Sequence, residues 1–277
     1  MPTFTLFTSI PPNSNYGPIV ENWRASGFTV ISINGTEESA QLTGVQTITI
    51  DSSDRKLPFT VILNAIRETG EPFAGFINAD CKFIAPLAPT LIDESDNSVI
   101  LAERIDIDPS GAPAMYRAFG FDALFFDTSA IANLKMNDAF RVGMPWWDYW
   151  LPYALELAGL NIKRFSCPIL THEVHSSTWS KKTWTELGQQ FSSENKHLSL
   201  SRLDCEPMAR AAYDRLRSSP VVAGSEISEP TAKLLCAIPI LTTRIMTSEW
   251  RQHPAFISGK MSQKSDNADD VGRGPAV

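Results

Sequence analysis

The 277-residue sequence lacks most of the short motifs that assign an enzyme class directly. It has no GxGxxG and no GxxxxGKS/T, so neither a Rossmann dinucleotide site nor a P-loop is indicated. The four cysteines form no CxxC pair, which argues against a thiolate zinc site. Ser9 has no GxSxG context, so a serine hydrolase is not indicated either. Carboxylates, histidines and aromatic side chains remain as candidates for chemistry.

Positive charge and long apolar runs are also scarce. The net charge is −7 and no basic stripe is visible, so nucleic acid is not expected as a partner. No stretch reaches 18 continuous apolar residues, so no transmembrane helix is expected. The first residues lack the basic region of a signal peptide, and we therefore expect a cytoplasmic protein with reduced thiols.

Strand and helix patterns alternate through the first two thirds of the chain. We predict strands at 4–10, 28–33, 45–50, 73–77, 98–102, 119–126 and 162–170, and helices at 19–25, 37–42, 58–68, 87–92 and 146–158. Such alternation predicts an α/β fold with a mostly parallel central sheet flanked by helices. We expect one domain over residues 1–190, a helical C-terminal extension over 191–257, and a disordered tail over 258–277.

The carboxyl ends of the predicted strands carry a set of polar residues. In parallel sheets the ligand crevice lies beyond these ends, so residues 9–15, Asn34, Asp51 and residues 78–80 are expected around one crevice. Asp80 directly follows a buried strand, where a carboxylate can coordinate a hard divalent cation and, through it, a diphosphate. An ordinary turn residue is the alternative, because aspartate favours turns.

His172 and His175 are two of only four histidines, and they follow the last predicted strand. The neighbouring Glu173 invites comparison with the HExxH zinc motif, but that motif requires histidines four apart on a helix. We therefore favour binding of a metal or a phosphate by one of the two histidines, with the other structural, over a zinc hydrolase. Lys181 lies nearby and could meet a phosphate as a point charge, although a solvated helix start is the simpler interpretation.

The aromatic block at residues 145–152 surrounds a single carboxylate, Asp148. An acid held among aromatic rings is poorly solvated, which raises its pKa and suits it to act as a base near neutral pH. Alternatively, the block is only a helix start with Asp148 near the positive end of the dipole and the aromatic rings in the core.

Several blocks together resemble bacterial glycosyltransferase-like proteins with the nucleotide-diphospho-sugar transferase (GT-A) fold. The blocks are residues 8–12, 21–34, 75–80, 120–126, 143–152 and 172–179. Their order and spacing hold over residues 4 to about 190. The resemblance implies a GT-A-like domain that moves a sugar from a nucleotide-diphosphate donor to a glycan or another hydroxyl acceptor.

The same resemblance implies roles for individual residues. Asn78-Ala79-Asp80 is a degenerate form of the Asp-x-Asp metal motif, and a later histidine, His172 or His175, is similar to the third metal contact, which implies Mn²⁺ or Mg²⁺. Asp148 occupies a place similar to the catalytic base of inverting members. The donor nucleotide is expected near Thr8, Ser9, Pro11, Asn34, Asp51, Asn78 and Lys181. Substrate contacts are expected from Trp146, Trp147 and Asp122, the two tryptophans as walls on the acceptor side.

Two other functions stay open for this chain. Asn78 in place of the first acid slightly favours a non-catalytic relative that binds a sugar nucleotide or a glycan. A nucleotidyltransferase would share the sheet, but its first loop is usually glycine-rich and basic, whereas residues 9–13 contain neither glycine nor lysine.

Overall fold

In the computed structural model, the described residues are 4–12, 15–38, 44–52, 54, 56–87, 91, 95, 97–112, 121–132, 134, 137–165, 168–175, 179–195 and 243–245. They belong to one compact unit, Met1–Ile245. A second unit, Met246–Val277, lies outside the described residues, as do the predicted tail and most of the predicted helical extension.

The described residues form ten strands and four α-helices. The strands are β1 (Phe4–Thr8), β2 (Phe28–Gly35), β3 (Gln46–Ile50), β4 (Phe73–Ile77), β5 (Cys81–Phe83), β6 (Ser98–Ile107), β7 (Phe121–Asp127), β8 (Asn161–Phe165), β9 (Leu170–Glu173) and β10 (Thr243–Ile245). The helices are α1 (Gly17–Ala25), α2 (Phe59–Glu68), α3 (Trp147–Leu157) and α4 (Lys181–Glu194). A short 3₁₀ turn, Thr36–Glu38, follows β2.

Local sequence signals explain several of these boundaries. Pro18 lies in the first turn of α1, where its fixed φ suits a helix start. Gly27 ends the turn after that helix with a φ of +93°, a left-handed conformation that glycine adopts without strain. The side chain of Ser180 caps α4 by accepting a hydrogen bond from the backbone N–H of Thr183.

The central sheet has the strand order β10-β8-β6-β7-β4-β1-β2-β3. Adjacent strands in this sheet are parallel, except that β7 runs antiparallel to both β4 and β6. The predicted α/β architecture, a mostly parallel central sheet flanked by helices, is therefore confirmed. Among the described helices, none combines the length and the hydrophobicity needed to cross a bilayer.

Helices cover both faces of the sheet, because the apolar side chains of the strands alternate between these two faces. On the face next to α1, the rings of Phe4, Phe28 and Phe125 contact one another. On the opposite face, Phe76 packs against Phe59 of α2 in the main hydrophobic cluster, which also includes α3. Both layers are buried, and together they hold the carboxyl ends of the parallel strands in a fixed arrangement.

A second, smaller sheet forms beyond the carboxyl edge of the central sheet. β6 has an irregular register at Ala102/Glu103, and its last residues pair with β9 instead of β7. β9 in turn pairs antiparallel with β5, which directly follows the turn after β4. This arrangement brings the end of β4, the end of β6 and the whole of β9 to one place.

The structure differs from the predicted elements at several points. The single strand predicted over 162–170 is two strands, β8 and β9, that pair with different partners. β5 was not predicted, because three residues are too few for a periodic pattern. The predicted helix over 37–42 begins as the 3₁₀ turn and continues outside the described residues, where most of the predicted helix over 87–92 also lies.

Candidate functional site

The candidate site starts at the turn between β4 and β5. β4 ends at Ile77, and the backbone N–H of Asn78 donates to the carbonyl of Asp122 at 2.9 Å. The Asn78 side chain also donates from Nδ2 to Asp122 Oδ1 at 2.5 Å. These two bonds fix the start of the turn against β7, so that Asp80 lies at the carboxyl edge of the sheet.

Asp80, His172 and His175 converge at this edge, although the histidines lie 92 and 95 positions after Asp80 in sequence. Asp80 Oδ2 lies 3.2 Å from His175 Nε2 and 3.4 Å from His172 Nε2. The two Nε2 atoms are 3.3 Å apart. β5 and β9 produce the convergence, because their pairing sets Cys81 opposite His172.

This triangle has the size and the chemistry of a metal-ligand face. Three ligands that bind an ion at about 2.1 Å, with angles between tetrahedral and octahedral values, lie roughly 3.0–3.4 Å apart. The observed separations of 3.2–3.4 Å fall within that range. Two imidazoles and one carboxylate also form a donor set that leaves further coordination positions open. The three residues therefore fit a divalent cation.

Asp106 lies behind His172 and orients its ring. Its Oδ1 atom is 2.9 Å from His172 Nδ1, so Nδ1 donates to the carboxylate and Nε2 faces Asp80. Burial alone would lower the pKa of His172, but the hydrogen bonds with Asp106 and Asp80 raise it to about 9. A carboxylate behind a ligating histidine fixes its tautomer and increases its basicity, which is the usual support of a metal-binding imidazole.

Asp80 is held in its charged form. Burial alone would raise the pKa of this carboxyl, but hydrogen bonds from His172 and His175, with the charges of His172 and Arg104, hold it well below its usual range. A ligand carboxylate must be ionised to bind a cation, so this environment is suited to metal binding.

Arg104 joins Asp106 to Asp122. Its Nε atom lies 2.8 Å from Asp106 Oδ1, and one terminal nitrogen lies 2.5 Å from Asp122 Oδ1. Asp122 is 1% exposed and accepts from Asn78 as well, so its charge is fully surrounded by protein. The contacts close a loop that runs from Asn78 through Asp122, Arg104, Asp106 and His172 to Asp80, two residues from its start.

Asp148 lies in the first turn of α3, close enough to this network to interact with it electrostatically. Burial and the charge of Asp122 raise the pKa of Asp148 to about 8, against the opposing effect of Arg104 and of the backbone N–H groups of Asp148 and Tyr149. Asp122 itself has a raised pKa, first because of burial. Since Asp122 contacts Arg104 directly, we assign the negative charge of this pair to Asp122 and the proton to Asp148 near neutral pH.

The charges around the candidate ligands do not balance within the protein. Asp80, Asp106 and Asp122 are carboxylates against the guanidinium of Arg104 and the imidazolium of His172, whose pKa is about 9, which leaves one negative charge at neutral pH and two once a cation takes the place of the His172 proton. Buried charges are normally compensated by partners or metals. A divalent cation at the triangle would supply this compensation.

Trp146 and Trp147 lie in the core, not on a crevice wall. Trp146 is 0% exposed and packs against Trp184 and Phe191 of α4, and its Nε1 donates to the carbonyl of Trp184. Trp147 is 2% exposed and packs against aromatic residues of α2 and β4. Contacts with α4, about 40 residues further along the chain, bury the first ring, so neither ring is available as an acceptor wall in this conformation.

The residues expected near the nucleotide lie at the carboxyl ends of β1, β2, β3 and β4, as the topology predicts, apart from Lys181. Asn34 is 0% exposed, because its Nδ2 donates to the carbonyl of Ile10 and its Oδ1 accepts from Ser32. It therefore anchors the first loop and presents no free group to a ligand. Thr8 is buried, and within the described residues its hydroxyl has no hydrogen-bond partner. Ser9, Pro11 and Asn78 are partly exposed, Asp51 is exposed after β3, and Lys181 is the exposed first residue of α4.

A small cavity opens beside the candidate ligands. Its volume is about 160 Å³, and Asp80 and His175 form part of its lining. The other lining residues are Ile19, Lys82, Ile107, Thr171 and Glu173. The cavity provides room for a ligand next to the triangle, and Lys82 brings a positive charge to its wall.

Asp106 was not among the predicted site residues, and it shares the end of β6 with Arg104. Both alternate with Ile105 and Ile107 at the end of β6, a strand whose earlier residues are buried and apolar. Two opposite charges spaced two apart at the end of a buried strand lie on one face of that strand. That signal was present in the sequence and could have placed both side chains beside the crevice.

No protein-family model matches the sequence, and no curated protein matches it. Among solved structures, the fold is similar to a CMP:2-keto-3-deoxy-manno-octonic acid synthetase in complex with CTP, with 11% identity over 71% of this chain and 99% of that chain and a TM-score of 0.36. It is also similar to HddC from Yersinia pseudotuberculosis, with 13% identity over 50% of this chain and 81% of that chain and a TM-score of 0.32. At these TM-scores the two likenesses carry no argument about the function of this chain.

Proposed function

We propose that this protein is a glycosyltransferase that moves a sugar from a nucleotide-diphosphate donor to a hydroxyl acceptor. In this proposal Asp80, His172 and His175 hold a divalent cation, and Asp148 is the catalytic base. The convergence of these three side chains at the carboxyl edge of the sheet is the observation that carries the proposal.

The protein's own residues would perform most of the chemistry. When bound, the cation would supply positive charge to the departing diphosphate. Lys82 lines the adjacent cavity and would add a second positive charge there. Asp148, with a pKa of about 8, would accept the proton of the acceptor hydroxyl in its ionised form. At pH 7 that form is roughly a tenth of the population, and a nearby cation would increase it.

The donor set favours Mn²⁺ over Mg²⁺ for this site. Two of the three ligand atoms are imidazole nitrogens. Mg²⁺ prefers oxygen ligands, whereas first-row transition metals accept imidazole readily. We therefore propose Mn²⁺ or a similar transition metal as the cation.

Binding of the donor can be tested by thermal denaturation with nucleoside diphosphates and nucleotide sugars, each with and without Mn²⁺. A ligand at about 100 times its Kd stabilises the native state by about 2.7 kcal/mol, which raises Tm by several degrees. We expect an Mn²⁺-dependent rise for at least one nucleotide sugar. Asp80→Ala should abolish the Mn²⁺ dependence, whereas Glu68→Ala, at an exposed position at the end of α2, should preserve it.

The outcomes separate the alternatives. No response to any diphosphate or nucleotide sugar would contradict the proposal. A response to nucleoside triphosphates alone would support a nucleotidyltransferase. Binding of a nucleotide sugar, with no transfer to any of a panel of hydroxyl acceptors and no hydrolysis, would support the non-catalytic relative instead.

A further inference from the structure

Arg104 contacts both halves of the candidate site. Through Asp106 it supports His172, one of the candidate metal ligands. Through Asp122 it reaches the acidic pair that includes Asp148. His172 is the second positively charged contact of Asp106, and Arg104 is the side chain that joins Asp106 to Asp122.

We propose that Arg104 is a positioning residue, whose guanidinium holds Asp106 against His172 and anchors Asp122, so that one side chain supports both a metal ligand and the buried acid that acts on Asp148. This inference rests on the proposed function, and it assigns Arg104 a role in organising the site rather than in contacting the substrate.

The geometry requires a guanidinium at this position. Nε and a terminal nitrogen of Arg104 point to two different carboxylates, at 2.8 and 2.5 Å. A lysine carries the same charge but presents one compact ammonium, which cannot reproduce a rigid fork between two acceptors. Arg104→Lys therefore removes the bridge while it keeps the charge.

The charge of Arg104 also acts on Asp148 from a neighbouring element. Within the described residues, the main effects on the pKa of Asp148 besides burial come from Asp122 on β7, Arg104 on β6 and the first residues of α3 itself. Arg104 favours the ionised form of Asp148, whereas Asp122 and burial oppose it. Removing the guanidinium should therefore raise the pKa of Asp148 above its value of about 8.

Arg164 provides a matched control. It lies on β8, is 6% exposed, and pairs with Glu103 at 2.6 Å. Arg164→Met thus removes a buried arginine–carboxylate pair from the same sheet without touching the candidate ligands. A purely structural role for Arg104 predicts that the Arg104 and Arg164 variants behave alike.

Two measurements on the full-length protein test the proposal. Calorimetric titration with Mn²⁺ gives the metal affinity, and ¹³C NMR of the metal-free protein follows the ionisation of Asp148. We expect Arg104→Lys and Arg104→Met to weaken Mn²⁺ binding about 10- to 100-fold, the usual effect of losing support behind a ligand. We expect Arg104→Met to shift the Asp148 titration to higher pH, and Arg164→Met to change neither value. Circular dichroism identifies variants that remain folded.

The proposal fails if a folded Arg104→Met variant keeps both values of the unmodified protein, or if Arg164→Met changes them equally. If Arg104→Met is unfolded, Arg104→Lys with unchanged Mn²⁺ affinity overturns it. If the unmodified protein binds no Mn²⁺, the metal assignment in the proposed function fails, and the Asp148 titration alone then decides the role of Arg104.

Discussion

Replacement of Asp148 by asparagine should stabilise the protein at alkaline pH. The folded protein favours the neutral carboxyl, because burial and the charge of Asp122 raise the pKa of Asp148 from 3.8 to about 8. In the unfolded chain an aspartate ionises near pH 3.9. Folding therefore takes up a proton between these two values, and the unmodified protein loses stability as the pH rises from about 4 through about 8. An asparagine is neutral throughout and avoids this loss.

The size of this stability difference follows from the shift in the pKa of Asp148. At 1.36 kcal/mol for each pH unit, a pKa displaced from 3.8 to about 8 corresponds to at most about 6 kcal/mol of lost stability. Asp148 is only partly buried and interacts with the charge of Asp122, so solvent screening and this interaction reduce the value. We expect Asp148→Asn to be more stable than the unmodified protein by about 2 kcal/mol at pH 9 and nearly equal to it at pH 4.5.

Urea denaturation of both proteins at pH 4.5 and pH 9 measures this difference through the midpoints and slopes. Glu156→Gln is the control, because Glu156 is an exposed carboxylate on the same helix and its replacement should alter stability little at either pH. Two results would refute the conclusion that the folded protein keeps Asp148 protonated. One is an Asp148→Asn variant that is less stable than the unmodified protein at pH 9, and the other is an equal gain in stability at both pH values.

Four further predictions concern the site and its supports. Asp148→Asn should reduce transfer, measured by donor consumption, by roughly 10²-fold or more, while calorimetry shows unchanged donor affinity. Calorimetry should also show Mn²⁺ binding at least about 10-fold tighter than Mg²⁺, because two of the candidate ligands are imidazoles. Gly188→Ala should cost about 1–3 kcal/mol in urea denaturation, because its Cβ would lie 2.6 Å from Trp146 Cζ2. Asn78→Asp should cost about 1–3 kcal/mol in the same assay at pH 7, because it replaces a donor to Asp122 by a like charge. A preference for Mg²⁺ would contradict the proposed ligand set. Unchanged stability of Gly188→Ala or Asn78→Asp would contradict the contact described for that residue.

The sequence was sufficient to predict the positions of those site residues that depend only on the order of the strands. Asp80 was expected at the carboxyl edge because it follows an apolar strand, and the alternation of strands and helices placed that edge. The proximity of Asp80 to His172 and His175 depends on β5 and β9, which pair over three residues each. Strands this short leave no periodic signal, so the predicted topology and the resemblance to a family indicated a shared crevice for the three residues but not their direct contact.

The positions of Trp146 and Trp147 could not be predicted from the local sequence. An aromatic block beside a carboxylate suits both a binding wall and a core, and the choice depends on what packs over it. Gly188 of α4 allows the Trp146 ring to approach so closely that a Cβ at this position would clash. That contact links residues 42 positions apart, beyond the reach of a local pattern.

The asparagine at position 78 is explained by the carboxylates around it. Asp122 Oδ1 accepts from both Arg104 and Asn78, so the residue at 78 must donate. An aspartate there would add a fourth carboxylate to a network that contains one guanidinium. The candidate ligand triangle is complete without residue 78, because its three atoms come from Asp80, His172 and His175. The departure from an Asp-x-Asp motif is therefore compatible with metal binding, and it does not by itself favour a non-catalytic protein.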